Sequence, residues 1–547
     1  MRVDDIWSKQ GSKRYKSVLI RQAYRDSSGK VKHHTYGNLT RCAPEEIEAV
    51  RLALKHKGNL SVLGSLKEVK TAQGLSVGAV TLLYQVAQRL GLVKVLGRSR
   101  EGKLILWLVM ARLIDQGSRL SAARLGRTHA VLEVLGMDPF CEDDLYAAME
   151  WLDGHQEGIE KRLFLHRNQG SGSGLFLYDV TSSYLEGEEN AYGAYGYNRD
   201  KKKGKKQIVV GLLTDAQGVP VSIQVYPGNT HDSATFEDQV EKARTLFGVR
   251  DVTMVGDRGM IKRGGIDALK KHGFHYITAI TKAQIGALVN KGVLQLSLFD
   301  EEVCEVEEEG VRYILRRNPV RAKEINDNRS QREAAFMEFV AMKNAYLLEH
   351  PRAGISVALR EVTLRGEKLK VKGWLKVEAE GRTLTIHKDD KALERIGMYD
   401  GCYVLKTDLP GTSAAKEVIH DRYKDLIMVE DAFRDMKTNH LEIRPVFVRN
   451  AKITRAHALI VMLAYRIRLE LEQYWKTVDM TVEEALGILS GLYSVIMEHK
   501  DNRIQTVPEP NAAVRELLNL ADVSLPPALP LRHKDVYTKK KLSNRRK

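Results

Sequence analysis

Leu175-Phe-Leu-Tyr-Asp-Val-Thr-Ser-Ser-Tyr184 is the segment around which the rest of the sequence can be organised. Four apolar residues precede Asp179, and Gly and Ser residues fill positions 170–174. A short apolar run that follows turn residues indicates a buried strand. Such a strand would hold the Asp179 carboxylate at the edge of a sheet, within reach of a metal ion or a substrate. Taken alone, Asp179 is also explained as a turn cap, because Asp before Thr-Ser-Ser favours turns.

A second strand pattern, Asp251 to Asp257, also ends in a carboxylate, and Arg258 follows it. A third carboxylate, Glu430, lies in a segment with helical periodicity, Ala414 to Lys437. Positions spaced three and four residues apart share one face of a helix, and the apolar stripe of this segment lies about a quarter-turn from Glu430. The sequence therefore predicts that Glu430 sits at the rim of a buried helix face. Its own stripe includes Tyr423, Arg434 and Lys437.

The order of predicted elements between positions 175 and 280 indicates the fold class. The Asp179 strand is followed by a hairpin pair, a helix, a strand, a helix and a last strand. This order is that of an RNase H-like α/β core. From 290 to 409 the sequence becomes strand-like around one long helix, which predicts a mostly β insertion that interrupts the core. The predicted fold is thus α/β, with an RNase H-like catalytic core, a β insertion domain and helical N-terminal and C-terminal regions.

The length of 547 residues exceeds what one core accommodates and predicts several domains. The predicted boundaries are 1–60 (β-hairpin and helix, DNA-binding candidate), 61–170 (helical, DNA-binding candidate), 171–289 (first part of the catalytic core), 290–409 (β-rich insertion), 410–475 (second part of the core, with the Glu430 helix) and 476–547 (helical, with a basic tail).

Charge points to a nucleic-acid partner. Lys and Arg number 86 against 70 Asp and Glu, a formal net charge of +16. An excess of this size favours a polyanionic partner, with nucleic acid ahead of a membrane surface, although a solvated basic surface is the alternative. The four cysteines form no CxxC pair, which excludes a zinc ribbon. No GxxxxGK[ST] phosphate loop, signal peptide or membrane-spanning segment is found.

One charge run is a candidate DNA-backbone contact. It follows three tyrosines and contains Lys201, Lys202, Lys203, Lys205 and Lys206. Lysines bind DNA through its phosphates. A run of this kind is also compatible with a solvated loop.

Asp179, Asp257 and Glu430 offer hard oxygen ligands, which suit Mg²⁺ or Mn²⁺ and suit zinc poorly. Two such ions a few Å apart can activate a water or a 3′-hydroxyl and stabilise the leaving oxygen of a phosphodiester. Carboxylates for such a site converge from different elements, so their wide spacing in sequence is no objection.

The segments around these three carboxylates resemble a DDE transposase of bacterial insertion sequences, and the resemblance covers roughly residues 95–470. The chain is most similar to the group with a Tyr-Arg-Glu-Lys signature. Tyr423, Glu430 and Lys437 fall at the signature's intervals, whereas Leu426 occupies the arginine position, which leaves Arg422 and Arg434 as candidates for the missing charge. Flanking matches are Gly228-Asn229 with Asp232, the Gly256-to-Gly259 strand end, and Arg444-Pro445.

The resemblance implies a cut-and-paste transposase in which Asp179, Asp257 and Glu430 hold two Mg²⁺ ions, with Mn²⁺ as a substitute. Its partner would be double-stranded DNA, both the inverted repeats at the element's ends and the target. Joining two ends implies a homodimer in a synaptic complex, and a hairpin intermediate is an open route. DNA contacts are expected from Tyr423, Arg434, Lys437, Arg258 and the lysine run. The protein is expected in the bacterial cytoplasm, associated with the nucleoid and not with a membrane.

Two other classes of protein stay open at this point. One is an RNase H-like nuclease that cuts DNA without strand transfer. The other is a non-catalytic DNA-binding protein that kept the fold. The long basic flanks disfavour the first, and the three intact carboxylates disfavour the second.

Overall fold

The computed structural model describes residues 1–58, 69–168, 174–187, 189–200, 202–250, 252–300, 302–438, 441–444, 448–499, 502–531 and 536. Lys201 and all of the predicted basic tail except Val536 lie outside this range.

The N-terminal region is a three-stranded antiparallel sheet with one helix. Its elements are β1 (Arg2–Gln10), β2 (Lys13–Arg25), β3 (Val31–Asn38) and α1 (Pro44–Lys55), with strand order β1-β2-β3. The hairpin and the helix agree with the sequence pattern. Strand β1 was not predicted, since its sequence carries charged residues at Arg2, Asp4 and Asp5.

The next region is helical after one strand. It contains β4 (Lys70–Ser76), α2 (Gly78–Arg89), α3 (Leu92–Leu96), α4 (Arg100–Ile114), α5 (Arg119–Leu125), α6 (Val131–Leu135) and α7 (Glu142–Asn168). Strand β4 does not pair within this region but with a strand near the C-terminus, described below. No helix in the described ranges has the length and apolar character needed to cross a membrane.

The centre of the molecule is an eight-stranded mixed sheet flanked by helices. Its first part comprises β5 (Leu175–Tyr184), β6 (Gln207–Asp215), β7 (Pro220–Pro227), α8 (Asp232–Thr245), β8 (Thr253–Gly256), α9 (Arg263–Lys271) and β9 (His275–Ala279). Strands β5, β6 and β7 form an antiparallel meander, and β8 and β9 pair in parallel on the other side of β5, in the order β7-β6-β5-β8-β9. Every residue of β6 is buried, as expected for a strand covered on both faces.

The predicted mostly β insertion at 290–409 is wrong in its secondary structure. The segment holds α10 (Lys282–Asn290), a 3₁₀ turn (Leu296–Asp300), β10 (Cys304–Glu308), β11 (Val311–Arg317), α11 (Pro319–Glu349), α12 (Ile355–Leu369), β12 (Leu375–Glu380), β13 (Thr383–Lys388), α13 (Asp390–Gly397) and β14 (Cys402–Thr407). Helix α11 alone has 31 residues and α12 has 15. Strands β10, β11 and β14 extend the central sheet beyond β9, and only β12 and β13 form a separate hairpin.

Residues 318–401 form a subdomain between β11 and β14 that we call the arm. Helices α11 and α12 enclose a small core of their own with the β12–β13 hairpin, around Phe336, Val362 and Trp374. At its base, the Asn318 N–H donates to the Gly401 carbonyl (2.9 Å). The arm therefore leaves the central sheet and returns to it at one point.

The remaining elements are α14 (Lys416–Lys424), α15 (Leu426–Thr438), α16 (Ala451–Tyr474), α17 (Val482–Ser490), β15 (Tyr493–His499), β16 (Asn502–Thr506), α18 (Ala512–Leu520) and β17 (Ala528–Leu529). The single helix predicted for Ala414 to Lys437 is two helices that meet at Asp425, where the Met428 N–H donates to the Asp425 carbonyl three residues back. The C-terminal region, predicted to be helical, is mixed: β15, β16 and β17 form a sheet with β4 in the order β17-β16-β15-β4.

One large hydrophobic core joins regions that the sequence assigns to separate domains. It includes buried residues of α2, α4 and α7, of one face of the central sheet, and of α15, α16 and α18. Helix α16 is buried along most of its length. The helical region, the second part of the predicted core and the C-terminal region are therefore packed together around the central sheet.

Candidate active site

Asp179 and Asp257 become neighbours through the register of two parallel strands. Strand β5 pairs with β8 up to Tyr178, which lies opposite Gly256, the last residue of β8. The residue that follows each of these two in the chain is an aspartate. Adjacent strands lie about 4.8 Å apart, which brings the two aspartates side by side. Strand β5 continues past Asp179 to Tyr184 along β6, so Asp179 lies where the pairing with β8 stops and not at the end of its strand.

Glu430 reaches the same place from helix α15. Residues Val429, Ala432, Phe433 and Met436 of this helix are buried, and they fix the helix against the sheet. Glu430 itself is exposed at the margin of that buried face, as the periodicity predicts. The helix therefore directs one carboxylate past the edge of the core.

The three carboxylates line a single cavity of about 430 Å³. It lies at the end of the pairing between β5 and β8, which are interior strands of the sheet. The other charged residues of its lining are Asp232, Arg199, Arg434 and Lys437, and the apolar ones include Leu426, Met260 and Phe433.

Arg199 and Asp232 were not predicted as site residues. The Arg199 Nη2 group donates to both oxygens of Asp232, at 2.8 and 2.7 Å, where Asp232 begins helix α8. The Arg199 backbone N–H donates to Ser182 Oγ (2.9 Å), which ties the loop after β5 to that strand. Arg199 lies at the start of the charge run, whose lysines were the predicted DNA contacts.

The predicted DNA-contacting residues are distributed unevenly. Lys437 and Arg434 line the cavity. Arg258 is exposed beside Asp257 but is not part of the lining. Lys202, Lys203 and Lys205 are exposed on the loop after β5, and Lys206 is half-buried, whereas Lys201 lies outside the described residues.

Lys437 is engaged within the protein. Its Nζ donates to the Ser182 carbonyl and to Asp200 Oδ1 (3.0 Å). Asp200 Oδ2 in turn accepts from the backbone N–H of Tyr184 (3.2 Å). Burial lowers the pKa of Lys437, while Asp200 acts in the opposite direction. Lys437 therefore holds the end of β5 and the start of the lysine loop to helix α15.

Tyr423 lies beside Asp257, with its hydroxyl 3.5 Å from Asp257 Oδ1. It extends from α14, the helix before the one that carries Glu430. Burial and the negative charge of Asp257 raise the pKa of Tyr423, so the phenol stays protonated and can donate to that carboxylate.

Burial and the neighbouring carboxylates both disfavour the charged form of Asp179. Burial raises the pKa of Asp179 to about 7, and the nearby charges of Glu430 and Asp257 add to the rise. A hydrogen bond from the Val180 N–H and the charge of Arg199 act against it. Asp179 is half-buried, and two neighbouring carboxylates disfavour its charged form, so a bound cation would stabilise that form.

The donor set fits a divalent cation with oxygen ligands. The cavity lining contains four carboxylates and neither histidine nor cysteine. Within the described parts of the chain, no three His, Cys, Asp or Glu side chains are close enough together to hold a metal ion. The carboxylates share a cavity without forming a closed cluster, so they would have to move closer to enclose an ion.

The pKa of Asp179 predicts the pH dependence of stability in metal-free protein. Because the folded-state pKa is raised from 3.8 to about 7, the folded protein retains a proton that the unfolded chain releases. The contribution of Asp179 to stability therefore falls as the pH rises from about 4 to about 7 and is constant above that. Asp179→Asn removes this loss, and we expect it to stabilise the protein by about 2 to 4 kcal/mol at pH 8 and much less at pH 5.

Denaturant unfolding in EDTA at both pH values would measure this effect. Asp267→Asn, an exposed aspartate on α9, is the matched control and should change little at either pH. An equal effect of Asp179→Asn at pH 5 and pH 8 would contradict the raised pKa.

Two parts of the sequence match known transposase families. Residues 170–467, which contain Asp179, Asp257, Glu430 and the arm, match the transposase DDE domain. This chain belongs to the DDE transposases. Residues 6–62 of the transposase match the N-terminal domain of IS1634 family transposases, which makes it a DNA transposase of an insertion sequence.

The transposase is also similar to solved structures of other transposases. One is a cryo-EM structure of piggyBac transposase in a synaptic complex with hairpin DNA, at 8% identity and a TM-score of 0.32, over 76% of this chain and 69% of that chain. Another is Mos1 transposase in a paired-end complex with a left transposon end, at 11% identity and a TM-score of 0.14, over 33% of this chain and 58% of that chain. Scores this low do not establish a common fold. No curated protein matches the transposase.

Proposed function

We propose that this transposase cuts and joins DNA at the cavity formed by Asp179, Asp257 and Glu430. The observation that carries the proposal is that carboxylates from β5, from the end of β8 and from α15 line one cavity. Their separation in sequence is large, and nothing in the packing of a core requires three acidic side chains there. Burial of Asp179 near two other carboxylates is costly without a cation, and functional sites are where such costs are found.

We further propose that the catalytic core is RNase H-like. The order β7-β6-β5-β8-β9, with an antiparallel meander followed by two parallel strands, supports this assignment. In it, 171–289 and 410–475 form the core, and 290–409 is an insertion that also adds three strands to the sheet. Residues 1–60 and 61–170 are the candidates for DNA-end recognition. The described residues of 476–547 pack on the core, and the basic tail follows them in the sequence.

Asp179, Asp257 and Glu430 would hold two Mg²⁺ ions, with Mn²⁺ as a substitute. When bound, these ions supply activation of a water or 3′-hydroxyl and stabilisation of the leaving oxygen in an in-line displacement. Tyr423 would orient the Asp257 carboxylate through its hydroxyl. Lys437 would keep the strand that carries Asp179 and the helix that carries Glu430 in a fixed relation, through Ser182 and Asp200.

The substrate would be double-stranded DNA, first the terminal inverted repeats and then the target. The exposed cations near the cavity would contact phosphates. They are Arg434 in its lining, Arg258 directly after Asp257, and Lys202, Lys203 and Lys205 on the loop that carries Arg199. Because two ends are joined in one reaction, the working form would be a homodimer in a synaptic complex.

The test uses the purified protein with labelled duplex DNA that carries the element's own end and its flanking sequence. We expect nicks at the repeat boundary and joined products with Mg²⁺ or Mn²⁺, and neither product in EDTA. Cleavage without joining under all conditions would favour a nuclease. Binding without metal-dependent cleavage would reject the catalytic proposal and leave a DNA-binding protein.

A further inference from the structure

The cavity lacks an arginine at a position where its own sequence pattern expects one. Leu426, at the first position of α15, lines the cavity with its apolar side chain. The two proposed Mg²⁺ ions would offset the carboxylates, but the phosphate that reacts gains further negative charge in the transition state, and a fixed arginine that faces it would stabilise that charge.

The two arginines nearest in sequence do not supply this cation. Arg422 bonds Asp425 (3.0 Å) on its own helix turn and is not part of the cavity lining. Arg434 lines the cavity, but its side chain is 66% exposed and pairs with Asp431 (2.8 Å). Lys437 is turned towards Ser182 and Asp200.

Arg199 meets the requirement from a different part of the chain. Its side chain is 26% exposed and lines the cavity together with the three carboxylates. Asp232 holds it through Nη2 alone, and the Nε and Nη1 groups of a guanidinium carry three further N–H donors. The guanidinium can therefore stay tied to Asp232 while its other nitrogens reach a phosphate oxygen.

A second cavity of about 440 Å³ adjoins this arginine. Arg199 and Asp232 line both cavities, so the ion pair stands between them. The second cavity is also lined by Tyr197, Asn229 and Lys262. A phosphodiester that extends from one cavity into the other would therefore lie beside this ion pair.

We propose that Arg199 is the residue that contacts the reacting DNA phosphate in this transposase, and that Asp232 is its positioning residue. The inference rests on the proposed function of the cavity. In this proposal, Arg199 in the loop between β5 and β6 supplies the positive charge that the signature arginine would have supplied at the position of Leu426. The two residues are 227 positions apart in the sequence. Arginine suits this role because its planar donors match two phosphate oxygens at once.

The experiment compares wild type, Arg199→Ala and Arg199→Lys on end DNA. Arg321→Ala is the matched control, since Arg321 is an exposed arginine of the arm that pairs with Glu324 and does not line the cavity. Three quantities are measured: the single-turnover cleavage rate in Mg²⁺, the salt dependence of end binding in EDTA, and the melting temperature. We expect Arg199→Ala to cut about 100-fold more slowly. Its slope of log K against log[salt] should fall by about one.

Arg199→Lys should keep the slope, because the charge is retained, and should cut about tenfold more slowly than wild type, because the planar donors are lost. If wild type cuts and Arg199→Ala equals it in rate and slope, the inference is wrong and the function of the cavity stands. If wild type does not cut but the slopes differ as expected, the proposed function fails and the phosphate contact stands. Equal losses in both variants with lowered melting temperatures would show that the ion pair is only structural and would overturn the inference.

Discussion

Asp179→Ala and Glu430→Ala are expected to lower the rate of cleavage at the element's ends by at least about 1,000-fold. Each change removes a carboxylate from the cavity, and groups that stabilise the charge of a transition state are worth about 10² to 10³ in rate even when no metal is involved. Glu430 is exposed and Asp179 is only half-buried, so neither side chain is needed to fill the core. Single-turnover cleavage in Mg²⁺ measures the effect.

Binding separates a catalytic loss from a folding loss. Both variants should bind end DNA within about threefold of wild type, since neither residue offers a cation to phosphates. Glu417→Ala, which changes an exposed glutamate of α14, is the control and should retain activity. Asp179→Asn adds a sharper test, because it should be more stable than wild type in EDTA and yet inactive. If a variant keeps more than a tenth of the wild-type cleavage rate, the residue that it changes is not part of the catalytic site.

Lys242→Met is expected to destabilise the folded protein by about 3 to 5 kcal/mol. Lys242 on α8 pairs with Glu160 on α7 (2.7 Å), and the Glu160 side chain is fully buried. Glu160 also accepts hydrogen bonds from Gln156, from the Ser222 hydroxyl and from the Ile223 backbone N–H. Without Lys242 the carboxylate would be a buried charge with no opposite charge, which carries a penalty of this size.

The midpoint of denaturant unfolding would report this loss. Lys271→Met, which changes an exposed lysine at the end of α9, is the matched control. It should change the free energy of unfolding by less than about 0.5 kcal/mol. Adding Glu160→Gln to Lys242→Met should recover part of the stability, because both charges are then gone. If Lys242→Met costs less than about 1 kcal/mol, the pair does not hold α8 to α7. Helix α8 begins at Asp232, which binds Arg199. The Lys242–Glu160 pair therefore also helps to fix the position of Arg199.

The elements that carry the three carboxylates were predictable because each depends on a local pattern, although Asp179 lies within its strand and not at the end. The apolar runs before Asp179 and Asp257 form β5 and β8, and the apolar stripe beside Glu430 forms the buried face of α15. Nothing local relates Arg199 to Asp232, since their pairing depends on how the loop after β5 folds back to α8. A charge run in sequence does not show which of its members faces inwards.

The errors in the insertion have the same origin in tertiary context. Residues of α12 such as Val357 and Thr363 favour strands, yet Ala358, Val362 and Gly366 are its buried residues, at a helical spacing of four. The pairing of β4 with β15 joins Leu75 to Ser494 and cannot be read from either strand alone. The meeting of β14 with β9 likewise depends on the return of the chain after the whole arm.

The two ends of the arm lie next to each other in the central sheet, which affects how the length of the arm could change. Arg317 of β11 and Cys402 of β14 are direct partners in the sheet, so the chain enters and leaves the arm across one rung of the ladder. Gly401 turns there with φ of +73°, and a Cβ at that position would lie 2.4 Å from the Asn318 carbonyl oxygen. A tight turn could span the same gap, so we expect that the arm can be enlarged, exchanged or deleted without a change in the strand order of the central sheet.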